Sequence, residues 1–252
     1  MSFDWAPDGR RVAFTLDEIG GNSPYVGLHV VDVVSKRDAH VPAGAPSDTS
    51  RSSWGPYLEK MLSRIGCFPA PELAWSPDGA SLAYSCGRIN VLKLNGAGHS
   101  TIPTPTNASW PSWSPGGNRI AYSTRVRPNS ESKIYTVALD GSHLHLIATG
   151  GAAPAWSPSG RVIAYQSQCG IRLVTPAGRD VTPRHSANSC GALALAGGPP
   201  VWSPDGKQLA LETEGGIFVM KADGGHLRLL TGKATTTWYG RLPGRPAWRP
   251  IH

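Results

Sequence analysis

The chain lacks the local signatures of most enzyme classes. It has no Gly-x-Ser-x-Gly elbow, so a hydrolase nucleophile of that kind is not expected. It has no Walker loop, no His-Glu-x-x-His helix and no EF-hand loop. No run of apolar residues is long enough to cross a membrane as a helix. Cysteines are few, four in 252 residues. Acidic residues are outnumbered, 17 Asp and Glu against 24 Lys and Arg, for a net charge of +7. That balance raises nucleic acid as a partner. The basic residues are scattered, however: Arg10 with Arg11, Arg125 with Arg127, and Arg241 with Arg245 stand in separate parts of the chain. No nucleic-acid partner is therefore expected.

What the chain does have is a repeat. Ala74-Trp75-Ser76-Pro77-Asp78-Gly79 leads to Leu82-Ala83-Tyr84. Pro111-Ser112-Trp113-Ser114-Pro115-Gly116-Gly117 leads to Ile120-Ala121-Tyr122, and Trp156-Ser157-Pro158-Ser159-Gly160 to Ile163-Ala164-Tyr165. Trp202-Ser203-Pro204-Asp205-Gly206 leads to Leu209-Ala210-Leu211. A variant opens the chain at Asp4-Trp5-Ala6-Pro7-Asp8-Gly9, and a clipped copy ends it at Trp248-Arg249-Pro250. Trp75, Trp113, Trp156, Trp202 and Trp248 follow one another at 38, 43, 46 and 46 residues, and Trp5 precedes Trp75 by 70.

Each copy reads as strand, tight turn, strand. Proline presets φ, aspartate bonds back to nearby backbone, and glycine takes the position with φ > 0. A third strand follows, such as Ile134 to Leu139 or Ile217 to Met220, then a glycine turn and a fourth short strand. Four antiparallel strands per period of about 40 to 45 residues predict the blades of a β-propeller. The repeated tryptophan is expected to pack between blades. The expectation is an all-β propeller forming a single domain over residues 1–252, with five complete four-stranded blades plus a terminal strand.

These motifs resemble the WD40-like PD40 repeat of TolB-type β-propellers. The resemblance implies a six-bladed ring as the usual pattern and a non-catalytic scaffold binding a protein or peptide, in a periplasmic or secreted setting. It implies no cofactor. Similar repeats occur in oligogalacturonate-lyase-like enzymes and in the propeller part of prolyl-oligopeptidase-like peptidases, so an enzyme-associated propeller is the alternative. Met1 runs straight into the first repeat, so no signal peptide is expected in this stretch. A trimmed mature form, a fragment and a cytoplasmic protein all stay open.

The irregular segments carry the candidate sites. Residues 43–71 interrupt the repeat, with Tyr57, Leu58, Met61, Leu62 and Ile65 spaced for one face of a short helix that Gly66 stops. A second excursion spans residues 231–245. Loops between strands two and three emerge on the same face as those joining blades. Trp54, Tyr57, Arg125, Arg127, Trp238 and Tyr239 fall there and are the expected binding residues. Cys86 and Cys169 follow second strands, and Cys67 and Cys190 lie in neighbouring blade-to-blade loops. The pairs Cys67–Cys86 and Cys169–Cys190 are therefore expected to be disulfides. His99, His143 and His226 each follow a turn glycine in a different blade, and His143 and His145 alternate along a strand. Such positions lie apart in a propeller, so no metal site is expected. Asp8, Asp78 and Asp205 sit inside the turn motif, where capping accounts for them and no catalytic role is expected.

Overall fold

The computed structural model describes residues 3–18, 25–35, 37–41, 72–95, 98–124, 131–168, 170–183, 199–213 and 216–231. They form five antiparallel sheets. Blade I is β1 (Phe3–Trp5), β2 (Arg11–Glu18), β3 (Tyr25–Asp32) and β4 (Arg37–Val41). Blade II is β5 (Leu73–Trp75), β6 (Ser81–Cys86), β7 (Arg88–Lys93) and β8 (Gly98–Thr101). Blade III is β9 (Ala108–Trp113), β10 (Arg119–Thr124), β11 (Lys133–Ala138) and β12 (His145–Thr149). Blade IV is β13 (Gly151–Trp156), β14 (Ile163–Ser167) and β15 (Gly170–Val174). Blade V is β16 (Val201–Trp202), β17 (Gln208–Thr213), β18 (Gly216–Lys221) and β19 (Arg228–Thr231).

The repeated tryptophan closes the first strand of every blade, as expected. The turn behind it is held by the motif's own side chains. In blade II the Gly79 N–H donates to the Ser76 carbonyl at 2.9 Å. The Ser81 N–H donates to Ser76 Oγ at 2.9 Å, and the Ala80 N–H to Asp78 Oδ1 at 2.9 Å. Blade V repeats this set with Ser203, Asp205, Gly206, Lys207 and Gln208. Gly79, Gly117, Gly160 and Gly206 have φ between 66° and 71°, which a residue with a Cβ adopts only at a cost. Ser76, Ser114, Ser157 and Ser203 are all buried. The serine is thus as structural as the aspartate.

The short apolar run after the turn has a second meaning. Alternate residues of a strand face opposite sides of the sheet, and here both sides are covered by a neighbouring blade. Leu82 and Tyr84 enter the core shared with blade I, while Ala83 enters the core shared with blade III. Ile120 and Tyr122 face blade II, and Ala121 faces blade IV. Ile163 and Tyr165 face blade III, and Ala164 faces blade V. The large-Ala-large pattern points bulk toward the preceding blade and leaves room for the following one. Four apolar clusters result among the described residues, each spanning one pair of consecutive blades.

Blade IV departs from the expected four strands. Among the described residues only an isolated bridge forms beyond β15, between Val174 and Asp180. The Val181 N–H donates to the Leu173 carbonyl at 2.9 Å, but the Leu173 N–H is taken at 2.9 Å by the side chain of Thr182. Pro183 follows and has no N–H to carry a ladder onward. The expected helix within 43–71 and the terminal strand at Trp248 lie outside the described residues, and the six-bladed pattern finds no support: the described residues form five blades. No helix among the described residues is long and apolar enough to cross a membrane.

Candidate functional site

The first strands of all five blades converge on one cavity of about 460 Å³. Its wall carries Trp5, Trp75, Trp113, Trp156 and Trp202, together with Phe3 and Asp4. The rim carries the turn prolines Pro7, Pro77, Pro115, Pro158 and Pro204. The turns also touch one another in series. A Cβ built on Gly117 would stand 3.9 Å from Pro77, one on Gly160 would stand 3.7 Å from Pro115, and one on Gly206 would stand 3.7 Å from Pro158. The proline of each blade therefore seats on the turn glycine of the next.

The tryptophans stitch neighbouring blades. Trp75 Nε1 donates to the Asp4 carbonyl at 3.0 Å, Trp113 Nε1 to the Ala74 carbonyl at 3.1 Å, and Trp202 Nε1 to the Ala155 carbonyl at 3.0 Å. Each acceptor is the residue before the preceding blade's own tryptophan. Trp156 breaks the series: its Nε1 is buried with no hydrogen-bond partner, although its backbone N–H donates to Ser112 Oγ at 3.0 Å. Blade I adds an ionic stitch. Arg11 Nε bonds Asp8 Oδ2 at 2.7 Å, its Nη2 donates to the Gly79 carbonyl at 3.0 Å, and its guanidinium carbon lies 4.8 Å from the Trp75 ring centre. This cavity on the tight-turn side was not among the expected binding sites. The repetition of tryptophan pointed to packing, and the same residues also wall the space where five inner strands meet.

Of the sequence-predicted binding residues, Trp54, Tyr57, Arg125, Arg127, Trp238 and Tyr239 lie outside the described residues. So do Cys67, Cys169 and Cys190, whereas Cys86, at the end of β6, is disulfide-bonded. The histidines are not equivalent as their spacing suggested. His143 and His226 occupy left-handed turn positions, φ 54° and 55°, ahead of the fourth strands, so His143 does not share a strand face with His145. His99 lies within β8, where its Nε2 and the Tyr84 hydroxyl are 2.7 Å apart. Burial lowers the His99 pKa and raises that of Tyr84, which keeps both neutral near pH 7. Among the described residues no three His, Cys, Asp or Glu side chains cluster as a metal site would require.

The turn carboxylates make a testable contribution to stability. The Ser76 hydroxyl, then the Ala80 N–H, holds Asp78 below its ordinary value of 3.8, and Ser203 with Lys207 does the same for Asp205. A carboxylate whose pKa is depressed on folding stabilises the fold above its unfolded pKa. That contribution is lost as pH falls through the folded value. The contribution of these two carboxylates to the melting temperature should therefore be constant down to about pH 5 and be lost below pH 3.8. The double change Asp78→Asn, Asp205→Asn should flatten the acid limb in calorimetry at stepped pH. An unchanged acid limb in the double variant would assign acid sensitivity to other groups.

Antiparallel sheets whose first strands share a central cavity define a β-propeller. Its fold is TolB-like. A TolB structure from Agrobacterium tumefaciens superposes with a TM-score of 0.66 at 20% identity, over 99% of this chain and 85% of that one. TolB from Acinetobacter baumannii gives 0.58 at 18% identity, over 88% of this chain and 53% of that one. The chain thus spans about half of the latter's length. An oligogalacturonate lyase in complex with manganese gives 0.52 at 14% identity, over 90% of this chain and 63% of that one. No family model matches the chain, and no curated protein matches its sequence.

Proposed function

We propose that the chain is a non-catalytic β-propeller scaffold that binds a protein or peptide partner. The observation that carries this reading is the central cavity, whose lining is rich in tryptophan and proline and includes Val201 and one carboxylate, Asp4. Flat aromatic faces and proline rings suit an extended peptide segment, since they bury large area at small cost in rotamer entropy. Arg10 is paired with Asp32 and Arg11 with Asp8, and the basic residues are scattered along the chain, which supports a protein over a nucleic-acid partner. The TolB-like fold is consistent with this reading. Disulfides Cys67–Cys86 and Cys169–Cys190, and with them a periplasmic or secreted setting, belong to the same proposal. Peptide mapping without reduction should recover those two pairs, and recovery of four free thiols would remove the exported setting.

The function is tested by affinity capture from an extract of the native cell, followed by titration of each captured partner against variants. Val201→Arg places a charge on the cavity wall and should weaken binding at least tenfold while leaving the melting temperature within a few degrees. Unchanged binding there, with binding lost in Arg125→Ala, Arg127→Ala, Trp238→Ala or Tyr239→Ala, would move the site to the opposite loops. Retention of a metal through purification together with cleavage of oligogalacturonate would replace the scaffold reading with a lyase-like one.

A further inference from the structure

We propose that blade III carries an oxyanion-binding groove centred on Arg119, independent of the central cavity and of the partner reading above. The groove is open, encloses about 620 Å³, and is walled by Asn118, Arg119, Asp140, Ser142 and His143. Arg119 is half-buried at the start of β10. Its Nη2 donates to Thr136 Oγ1 at 2.9 Å and to the His143 carbonyl at 3.1 Å, and its Nε is buried without a hydrogen-bond partner. Both acceptors are neutral. A half-buried guanidinium whose protein partners are neutral retains most of its charge for a ligand. With both Nη2 hydrogens engaged and Nε buried, Nη1 is the donor left to meet a carboxylate or phosphate oxygen.

Comparison within the chain shows that this is a departure from its own pattern. Arg119 stands six residues after its blade's tryptophan, as Arg11 does in blade I. There, Arg11 bonds Asp8 at 2.7 Å and the neighbouring Arg10 bonds Asp32 at 3.1 Å, with Arg11 and Asp32 directly paired across β2 and β3. In blade III, Gly116 stands where Asp8 stood, and Ala138 is the residue paired with Arg119. Both carboxylates are gone and the arginine is kept. Ser114 Oγ turns instead to the neutral amide of Asn118, donating to Oδ1 at 3.2 Å. Asp140 is the remaining carboxylate of the wall, and its Oδ1 accepts the Ser142 N–H at 2.9 Å, so it is engaged in closing its own turn. Ser142 and His143 present a hydroxyl and an imidazole, with Ser142 Oγ and His143 Nδ1 2.8 Å apart. Blade V has Gln208 at the arginine position and Gly225 at the serine position, so the set is not a general feature of the repeat. The left-handed φ of His143 recurs at His226 and belongs to the turn, not to the groove.

The test titrates the full chain at low ionic strength with inorganic phosphate and, separately, with acetate, by calorimetry. Saturable binding of phosphate, of acetate or of both is expected, and the ratio of the two affinities names the source of the oxyanion. Two variants borrow residues the chain already uses at the same place in other blades. Arg119→Gln copies blade V and should weaken binding at least tenfold. Gly116→Asp copies blade I and supplies the missing carboxylate. It should also weaken binding at least tenfold, and a Cβ there meets nothing closer than Asn118 Oδ1 at 3.5 Å. If Arg119→Gln fails to fold, Gly116→Asp decides alone. No saturable binding of either anion, or binding unchanged in Gly116→Asp, overturns the proposal.

Discussion

Replacing Trp113 with alanine is expected to cost about 3–5 kcal/mol of folding stability, at the upper end for a single core truncation. The residue is buried to 8% exposure in the core between blades II and III. That core also holds Ile89, Val91, Ile102, Ile120 and Tyr122, so the cavity left behind would be lined from both blades and poorly placed to collapse. The truncation also removes the bond from Nε1 to the Ala74 carbonyl, and Ala74 is itself buried. An orphaned buried carbonyl adds about 1–3 kcal/mol of desolvation cost. In a propeller each blade is held by its neighbours, so damage at one interface separates the array there. Urea unfolding should show a lower midpoint, and the slope should report whether the transition has split in two. Trp156 supplies the control. Its Nε1 has no partner, so Trp156→Phe removes an unsatisfied donor, whereas Trp113→Phe breaks a bond. The Trp113→Phe loss should exceed the Trp156→Phe loss by about 1 kcal/mol. Equal losses would mean that the indole stitches carry no net stability.

Much of this fold was legible because one unit recurs with its chemistry intact. A tryptophan, a turn whose glycine needs positive φ, and a large-Ala-large strand state both the hairpin and its two-sided burial. Blade IV was misjudged because its glycine turn, Ala177-Gly178, matches the others, while the residues that end it do not. Thr182 spends its hydroxyl on the Leu173 N–H, and Pro183 has no donor to continue. The histidines misled because their spacing from the turn glycine differs: His99 stands three residues after Gly96, whereas His143 and His226 stand two after Gly141 and Gly224, and it is these two that take the left-handed turn position. The site was less legible still. A residue repeated in every blade signals packing, and nothing local in the sequence says that five such residues also enclose a cavity. Arg119 could have been found by aligning the repeats and asking which charges lose their partners, since Gly116 in place of aspartate is visible without coordinates.

The second large effect is expected at Gly141. Its φ is 87°, a conformation that costs an L-residue about 1–2 kcal/mol. A Cβ there would also overlap the ring of Pro103, in the segment joining blade II to blade III. That ring cannot readily give way. Pro103 is flanked by Ile102 and Thr104, both almost fully buried, and the Ile102 N–H is bonded to the Ile89 carbonyl at 2.9 Å. Overpacking of this kind adds about 1–3 kcal/mol, so Gly141→Ala should cost about 2–5 kcal/mol in all. Gly178 separates the two contributions. Its φ is 83°, but a Cβ there meets only Ile147 and His145 at 3.5 Å or more, so Gly178→Ala should show the backbone cost alone. The substitution at Gly141 has a second consequence. Relieving the overlap must shift the turn that carries Ser142 and His143, and the His143 carbonyl is one of the two acceptors that hold Arg119 in place. Gly141→Ala should therefore weaken phosphate binding in blade III severalfold, while Gly178→Ala leaves it unchanged. Equal unfolding midpoints for the two variants would show that the Pro103 contact yields without cost. A destabilised Gly141→Ala protein that still binds phosphate like the parent would separate the turn from the groove, and would place the anion on Arg119 without help from Ser142 or His143.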